Sequence, residues 1–336
     1  MSIEYDSDSD TDLPKQKNKQ GLKKEKFIRE IPIDFTKAKN QTELTINGIK
    51  VYFPHVPYEN QIVYMSKVIE ACNKGQIAGL ESPTGTGKTL CLLCASLAWL
   101  QHKRKELSEK RKNEELDATE EIPKIYYSSR THSQLGGVIK ELKKTCYMPR
   151  TAILSSREKM CVNAVVKNFK GLSINIRCKQ VRKKKDCKYF YGSERLLTSN
   201  YDNCDIEELY NIGSKSGFCP FYFERNKKDY ADIVFLPYNY IFEPLYKKVL
   251  DLKLQNSILI VDEAHNIESV CEEAVSCQLS VKVIDEVLND FKGIKILVEN
   301  PGDSLTKDSI LKTIEAKKVE EEEIIYHSEF ERVKDQ

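Results

Sequence analysis

The sequence has no apolar run approaching the roughly 18 residues that a membrane-spanning helix needs, so no membrane partner is expected. Its start, Met1-Ser-Ile-Glu-Tyr-Asp, lacks the basic and apolar regions of a secretory signal. It also lacks an excess of either charge. The 53 Lys and Arg stand against 51 Asp and Glu, so only local imbalance can point to a partner. Eleven cysteines without a secretory signal predict a reducing compartment, where spaced cysteines bind metal more often than they form disulfides. A length of 336 residues allows two domains, or three small ones, with a real core.

What is present is Glu81-Ser-Pro-Thr-Gly-Thr-Gly-Lys88-Thr89. It follows a short apolar run, Ile77 to Leu80, read as a strand. It opens into Leu90 to Trp99, an apolar stretch of helix length. Strand, Gly-rich turn and Lys-Thr at a helix start form the layout of a phosphate-binding loop. Gly85 and Gly87 let the backbone curl its N–H groups toward phosphate oxygens, and the helix amino terminus adds positive potential there. Lys88 supplies a full charge to the β and γ phosphates, and the Thr89 hydroxyl a ligand for Mg2+. Ser82 stands where the usual pattern has its first Gly. Ser82, Pro83, Thr84, Gly85, Thr86, Gly87, Lys88 and Thr89 are therefore the expected ATP cradle. The plainer alternative is a Gly-rich turn before a core helix.

Residues 1–44 read as a charged tail, acidic over Asp6 to Asp12 and basic over Lys15 to Lys26. The basic run is either a solvated tail or a nuclear import signal. Alternation predicts a strand over Thr45 to Phe53, and apolar spacing a helix over Glu59 to Cys72. On that helix the amide of Gln61 is suited to a purine edge, although a lone Gln is more often a surface residue. Lys103 to Glu121 reads as a solvated helix end and loop. Strands are expected from Lys124, at Thr151 to Leu154, at Ala231 to Leu236 and at Ser257 to Val261, alternating with helices. That alternation predicts an α/β fold with a doubly wound parallel sheet. The last strand ends in Asp262-Glu-Ala-His265. Asp262 is positioned to hold Mg2+ and Glu263 to orient and deprotonate the attacking water. An acidic pair at a strand end is commonplace; paired with the upstream loop it points to hydrolysis.

Between the Thr151 and Ala231 strands the rhythm stops for about 75 residues, which hold Cys161, Cys178, Cys187, Cys204 and Cys219. From Cys161 to Lys228 there are 14 Lys and Arg against 7 Asp and Glu. Tyr189, Phe190, Tyr191, Phe218, Phe221, Tyr222 and Phe223 are interleaved with them. Basic side chains and aromatic faces are the ingredients of a surface for single-stranded nucleic acid. A segment so poor in periodicity also calls for a staple, such as a metal centre. No C-x-x-C pair occurs here, which speaks against a zinc ribbon. Spacing alone does not choose between an iron–sulfur cluster and buried free thiols. Cys91 and Cys94, on the helix after the phosphate loop, read as small core residues.

Several of these stretches together resemble the iron–sulfur superfamily 2 DNA helicases of the XPD-like group. They are Glu81 to Cys94, Ile122 to Leu135, Ser156-Arg-Glu158 before Cys161, Pro237-Tyr-Asn-Tyr240 and Val261 to Asn266. The Thr-Leu-Cys-Leu-Leu-Cys run and the short spacer before Ile122 favour the telomeric branch. The resemblance implies a RecA-like domain in two parts, 45–155 and 229–278, around an iron–sulfur insertion at 156–228. The start of a helical Arch domain follows at 279–336. It implies a 4Fe-4S cluster on Cys161, Cys178, Cys187 and Cys219, leaving Cys204 spare, and adenine reading by Gln61. It further implies DNA contact through Arg130, Thr131 and His132, and coupling of hydrolysis to movement through His265. The implied activity is ATP- and Mg2+-dependent 5′ to 3′ translocation on single-stranded or forked DNA. The implied setting is the nucleus, in telomere maintenance, DNA repair and genome stability, with replication or telomere proteins as partners. These helicases complete the ATP site with an arginine from a second RecA-like domain, and nothing after residue 277 resembles one. The chain therefore reads as the amino-terminal half of such an enzyme. The alternative is a non-catalytic module that binds ATP and nucleic acid. A small-molecule kinase is disfavoured by Asp262-Glu-Ala-His265 and the basic, Cys-rich insertion.

Overall fold

The computed structural model describes residues 28–113, 122–195, 201–243, 246, 250–276 and 281–299. Four parallel strands in the order β4-β5-β3-β6 form the central sheet: β3 (Ile125–Ser129), β4 (Thr151–Ile153), β5 (Ile233–Pro237) and β6 (Ile258–Val261). Strands β3 and β5 are buried at every position, since helices cover both faces of a parallel sheet; β5 is apolar throughout, whereas β3 ends in the buried Ser128 and Ser129. The strand period of two sends neighbours to opposite sides. Tyr127 and Phe235 join the core that holds helices α2 (Glu59–Lys74) and α3 (Lys88–Lys112), while Tyr126 and Val234 join a second core with Tyr240 and Leu250.

Cys91 and Cys94 lie on the buried face of α3, as their spacing predicts. The single strand expected over Thr45 to Phe53 is instead a hairpin of β1 (Thr42–Ile46) and β2 (Ile49–Phe53). Asn47 and Gly48 turn it with φ of 48° and 80°, the left-handed pair that a tight hairpin demands. Residues 28–44, expected within the charged tail, are folded and include the short helix α1 (Phe35–Ala38). Ile28 and Ile31 are buried, Ile33 bridges to Tyr147, and Arg29 reaches the buried Asp232 at 2.7 Å. Residues 1–27 lie outside the described residues.

Ile77 to Leu80 forms no strand, and Ile77 is fully exposed. A strand needs a ladder partner, and β6 pairs among the described residues only with β3. The chain leaves the sheet after β4 and returns at β5. Between them lie only helices among the described residues: α5 (Arg157–Met160), α6 (Gly171–Lys183), α7 (Lys188–Arg195), α8 (Ile206–Ser216) and α9 (Pro220–Lys227). These helices occupy the stretch expected as the insertion, and their core runs on into that of the sheet. A further helix spans Val281–Glu299; residues 279–280 and 300–336 of the expected Arch segment lie outside the described residues. Among the described residues no helix is long and apolar enough to cross a membrane.

Candidate nucleotide site and cysteine pocket

The phosphate loop ends at Gly87, the N-cap of α3, with φ of 77°, and Gly85 has φ of 79°. Side chains brace the loop from within. Ser82 Oγ and Thr86 Oγ1 are 2.6 Å apart, and Thr86 Oγ1 donates to the Pro83 carbonyl at 2.8 Å. Ser82 thus ties the loop at the place where the usual pattern has Gly. Gln61 is buried: Nε2 donates to the Thr86 carbonyl at 2.9 Å and Oε1 accepts from the Tyr58 N–H at 2.9 Å. Here it holds the loop, with one N–H and one acceptor site of the amide left beside these two bonds.

The acidic pair reaches the loop from the tip of β6. Lys88 Nζ lies 4.0 Å from Glu263 Oε1, although 174 positions separate them in the chain. Asp262 is fixed by two tyrosines that sequence reasoning gave no role. Tyr127, fully buried on β3, donates to Asp262 Oδ2 at 3.0 Å, and Tyr238 donates to the Asp262 carbonyl. Burial first, then the Asp262 carboxylate, pushes the Tyr127 hydroxyl well above its ordinary pKa, and a hydrogen bond with Thr89 acts against them. Tyr127 therefore remains a proton donor to Asp262, one of the two expected Mg2+ ligands. Glu263 holds φ of 55°, a left-handed conformation that costs on the order of 1 kcal/mol in a non-glycine residue and clusters at functional sites. Such strain persists only where the surroundings over-determine it. Asn266 donates from its backbone N–H and from Nδ2 to the Glu263 carbonyl, at 3.2 and 3.1 Å.

A chain of polar contacts continues outward from Glu263. His265 Nδ1 is 3.4 Å from Glu263 Oε2, and His265 Nε2 is 3.0 Å from Asn266 Nδ2. The Asn266 amide can only donate there, which places the imidazole proton on Nδ1, facing Glu263. Arg130 Nη1 donates to Asn266 Oδ1 at 3.2 Å. Arg130 and Thr131 are exposed, Thr131 as the N-cap of α4 (His132–Lys144). His132 turns inward, with Nε2 3.4 Å from Ser155 Oγ. Burial, reinforced by Lys159, pushes its pKa down to about 4, so it is neutral at physiological pH. The three residues expected to touch DNA therefore divide between the surface and the seam with the insertion.

In the insertion, Cys161, Cys178, Cys187 and Cys219 line one cavity together with Asn163, Arg182, Phe190 and Tyr222. Cys204 stands apart, 3.7 Å from the Asp202 carbonyl. Burial pushes the Cys161 thiol up to about 11 and Cys219 up to about 12, with neighbouring cysteines adding to both. Thiolates in such a pocket require a cationic centre to hold them. Among the described residues no three His, Cys, Asp or Glu side chains are grouped to hold a metal ion. The fit to a cluster of several atoms rests on four thiols facing one cavity. Five of the seven interleaved aromatics are core rather than a stacking surface, while Tyr189 and Tyr191 are half-buried. Phe190, Phe218, Phe221, Tyr222 and Phe223 are buried and pack on one another, because a small helical insertion needs them as its core. The basic residues that remain exposed include Lys183, Lys184 and Lys185.

Residues 127–284 match the DEAD_2 family. A regulator of telomere elongation helicase 1 homolog from Arabidopsis thaliana is 41% identical over 292 residues, covering 79% of this chain and 28% of that protein. The regulator of telomere elongation helicase 1 of Homo sapiens is 38% identical, covering 74% of this chain and 23% of that protein. The chain thus spans about a quarter of the length of these curated relatives. A solved XPD helicase structure covers 65% of this chain, and the match takes in 34% of that structure, at 25% identity with a TM-score of 0.43.

Proposed function

The chain belongs to the XPD-like helicase family, and from that premise we propose that it is the ATP-binding motor portion of a 5′ to 3′ DNA helicase. The observation that carries the reading is the meeting of Lys88 and Glu263, at 4.0 Å, beside an Asp262 held by Tyr127. On ATP binding the β and γ phosphates compete for Lys88, which frees Glu263 to orient and deprotonate water. Thr89 and Asp262 would hold Mg2+, which neutralises charge on the phosphates. Arg130 and Thr131 face the DNA strand, and His265 links the site to movement. Cys161, Cys178, Cys187 and Cys219 would hold a 4Fe-4S cluster, which supplies a rigid staple and an electron-accepting centre. The relatives are named for telomere elongation; a nuclear role in telomere maintenance and DNA repair, with replication or telomere proteins as partners, is part of the proposal.

A second reading, a module that binds ATP and DNA without turnover, is favoured by the same ion pair. Lys88 and Glu263 engage each other, so turnover depends on the phosphates separating them. ATP hydrolysis by the purified chain, with and without single-stranded DNA and beside Lys88→Ala, decides between the two. DNA-stimulated turnover that disappears in Lys88→Ala supports the motor. Intact ATP and DNA binding without turnover supports the binding module.

A further inference from the structure

We propose that Asn163 and Arg182 are positioning residues that hold the iron–sulfur centre at a raised reduction potential. Asn163 does so through a hydrogen bond to Cys187 Sγ, and Arg182 by setting a fixed positive charge in the wall of the same cavity. The inference rests on the cluster reading above and assigns roles that it leaves open.

The orientation of the Asn163 amide follows from chemistry. Its Oδ1 accepts from the backbone N–H groups of Val165 at 2.9 Å and Val166 at 3.2 Å. Both partners are donors, so only the carbonyl end of the amide can face them. The NH2 end is thereby turned to Cys187 Sγ, 3.6 Å away. An exposed Asn would rotate freely; this one is locked by the turn that follows Cys161. Arg182 is wedged as firmly. Its guanidinium lies 4.6 Å over the Phe190 ring and 4.7 Å over the Tyr222 ring, and Nη1 donates to Tyr222 Oη. Asn163, Arg182, Phe190 and Tyr222 all line the cavity of the four thiols.

One-electron reduction adds a negative charge that spreads over the cluster sulfurs; no bond to the protein forms or breaks. A donor aimed at a ligand sulfur and a nearby cation both stabilise the reduced state more than the oxidised one. Hydrogen bonds to sulfur, net charge and solvent exposure are the levers by which proteins set such potentials. Each of the four thiol residues is at most 8% exposed, so water screens neither effect strongly.

The test uses the whole chain, purified anaerobically, as wild type, Asn163→Ser, Arg182→Gln and the double variant. A Ser hydroxyl still accepts from the turn amides but is too short to reach Cys187. Iron and acid-labile sulfide are measured first, followed by a redox titration monitored by electron paramagnetic resonance. The expected result is retained cluster content with a lower midpoint potential in each variant, and the lowest in the double variant. If Asn163→Ser fails to hold its cluster, Arg182→Gln alone carries the measurement. Loaded variants with an unchanged potential overturn the proposal, as does loss of the cluster in both variants, which would reveal a purely structural role. A wild-type chain without iron and sulfide overturns the cluster reading itself, and that is read before any potential.

Discussion

Gln61 and Thr86 are joined by a hydrogen bond of 2.9 Å from the Gln61 amide to the Thr86 carbonyl, which ties helix α2 to the phosphate loop. A Cβ at Gly87 would lie 2.9 Å from the same Gln61 nitrogen and would push the amide aside, while the φ of 77° itself favours glycine there. Losing a neutral hydrogen bond of this kind costs about 0.5–1.5 kcal/mol. Gln61→Ala is therefore expected to weaken ATP binding about 2- to 10-fold, by the same energy. Calorimetry with ATP and GTP separates loop positioning from purine reading. Parallel loss of both is expected; a loss confined to ATP would restore Gln61 as the adenine reader.

Asn266 stands between the surface and Glu263, the proposed catalytic carboxylate, accepting from Arg130 and donating to the Glu263 carbonyl and His265. A DNA strand bound at Arg130, as proposed, would thus reach the strained Glu263 backbone through one side chain. Asn266→Ala is expected to reduce the stimulation of ATP hydrolysis by single-stranded DNA several-fold, with ATP affinity little changed. Steady-state hydrolysis over a DNA titration measures this. Undiminished stimulation would show that coupling takes another path.

The cavity also separates the five cysteines that spacing left equivalent. Cys219→Ser removes one of the four thiols that line it, whereas Cys204→Ser alters a thiol outside it. Iron and sulfide analysis should show full content in Cys204→Ser and loss in Cys219→Ser, with a lower melting temperature in the latter. Equal loss in both would mean that Cys204 takes part.

The parts legible in the sequence are those with an unmistakable local signal. Strands β3, β5 and β6 announce themselves as short apolar runs, and Gly85 to Thr89 as a loop that only glycines can curl. That the phosphate loop and the acidic pair would share one site followed from the chemistry each half requires, whereas the direct contact of Lys88 with Glu263 did not. Tyr127, in strand β3, and Tyr238, just after β5, were invisible because a tyrosine beside apolar residues reads as core, and only the fold shows where its hydroxyl goes. Ile77 to Leu80 misled because four apolar residues have no diagnostic period, and strand formation depends on a neighbour. The aromatics around Cys187 and Cys219 misled for the opposite reason. Alternation with Lys and Arg suggested a surface, yet Arg157 and Arg182 fold their guanidinium groups over these same rings.

Glu224 carries the last prediction. It lies on α9 at the seam with β4, is 2% exposed, and accepts from the Ile153 N–H at 2.7 Å. Burial pushes its carboxyl up to about 7, against the smaller opposing pull of Lys227. The folded state therefore holds this proton more tightly than the unfolded state, where the group titrates near 4.5. Its contribution to stability is greatest below pH 4.5, declines as pH rises toward 7, and above that is a constant penalty. At 1.36 kcal/mol per pKa unit the penalty is on the order of 3 kcal/mol. Glu224→Gln keeps an acceptor for Ile153 and cannot ionise. Urea unfolding at pH 8 should find it more stable than wild type, with the difference shrinking markedly at pH 5. A difference that is the same at both pH values would mean that Glu224 stays in one protonation state throughout. Because the seam joins the sheet to the cysteine-bearing insertion, the same titration should loosen iron retention in the wild type, but not in Glu224→Gln, as pH rises from 6 to 8.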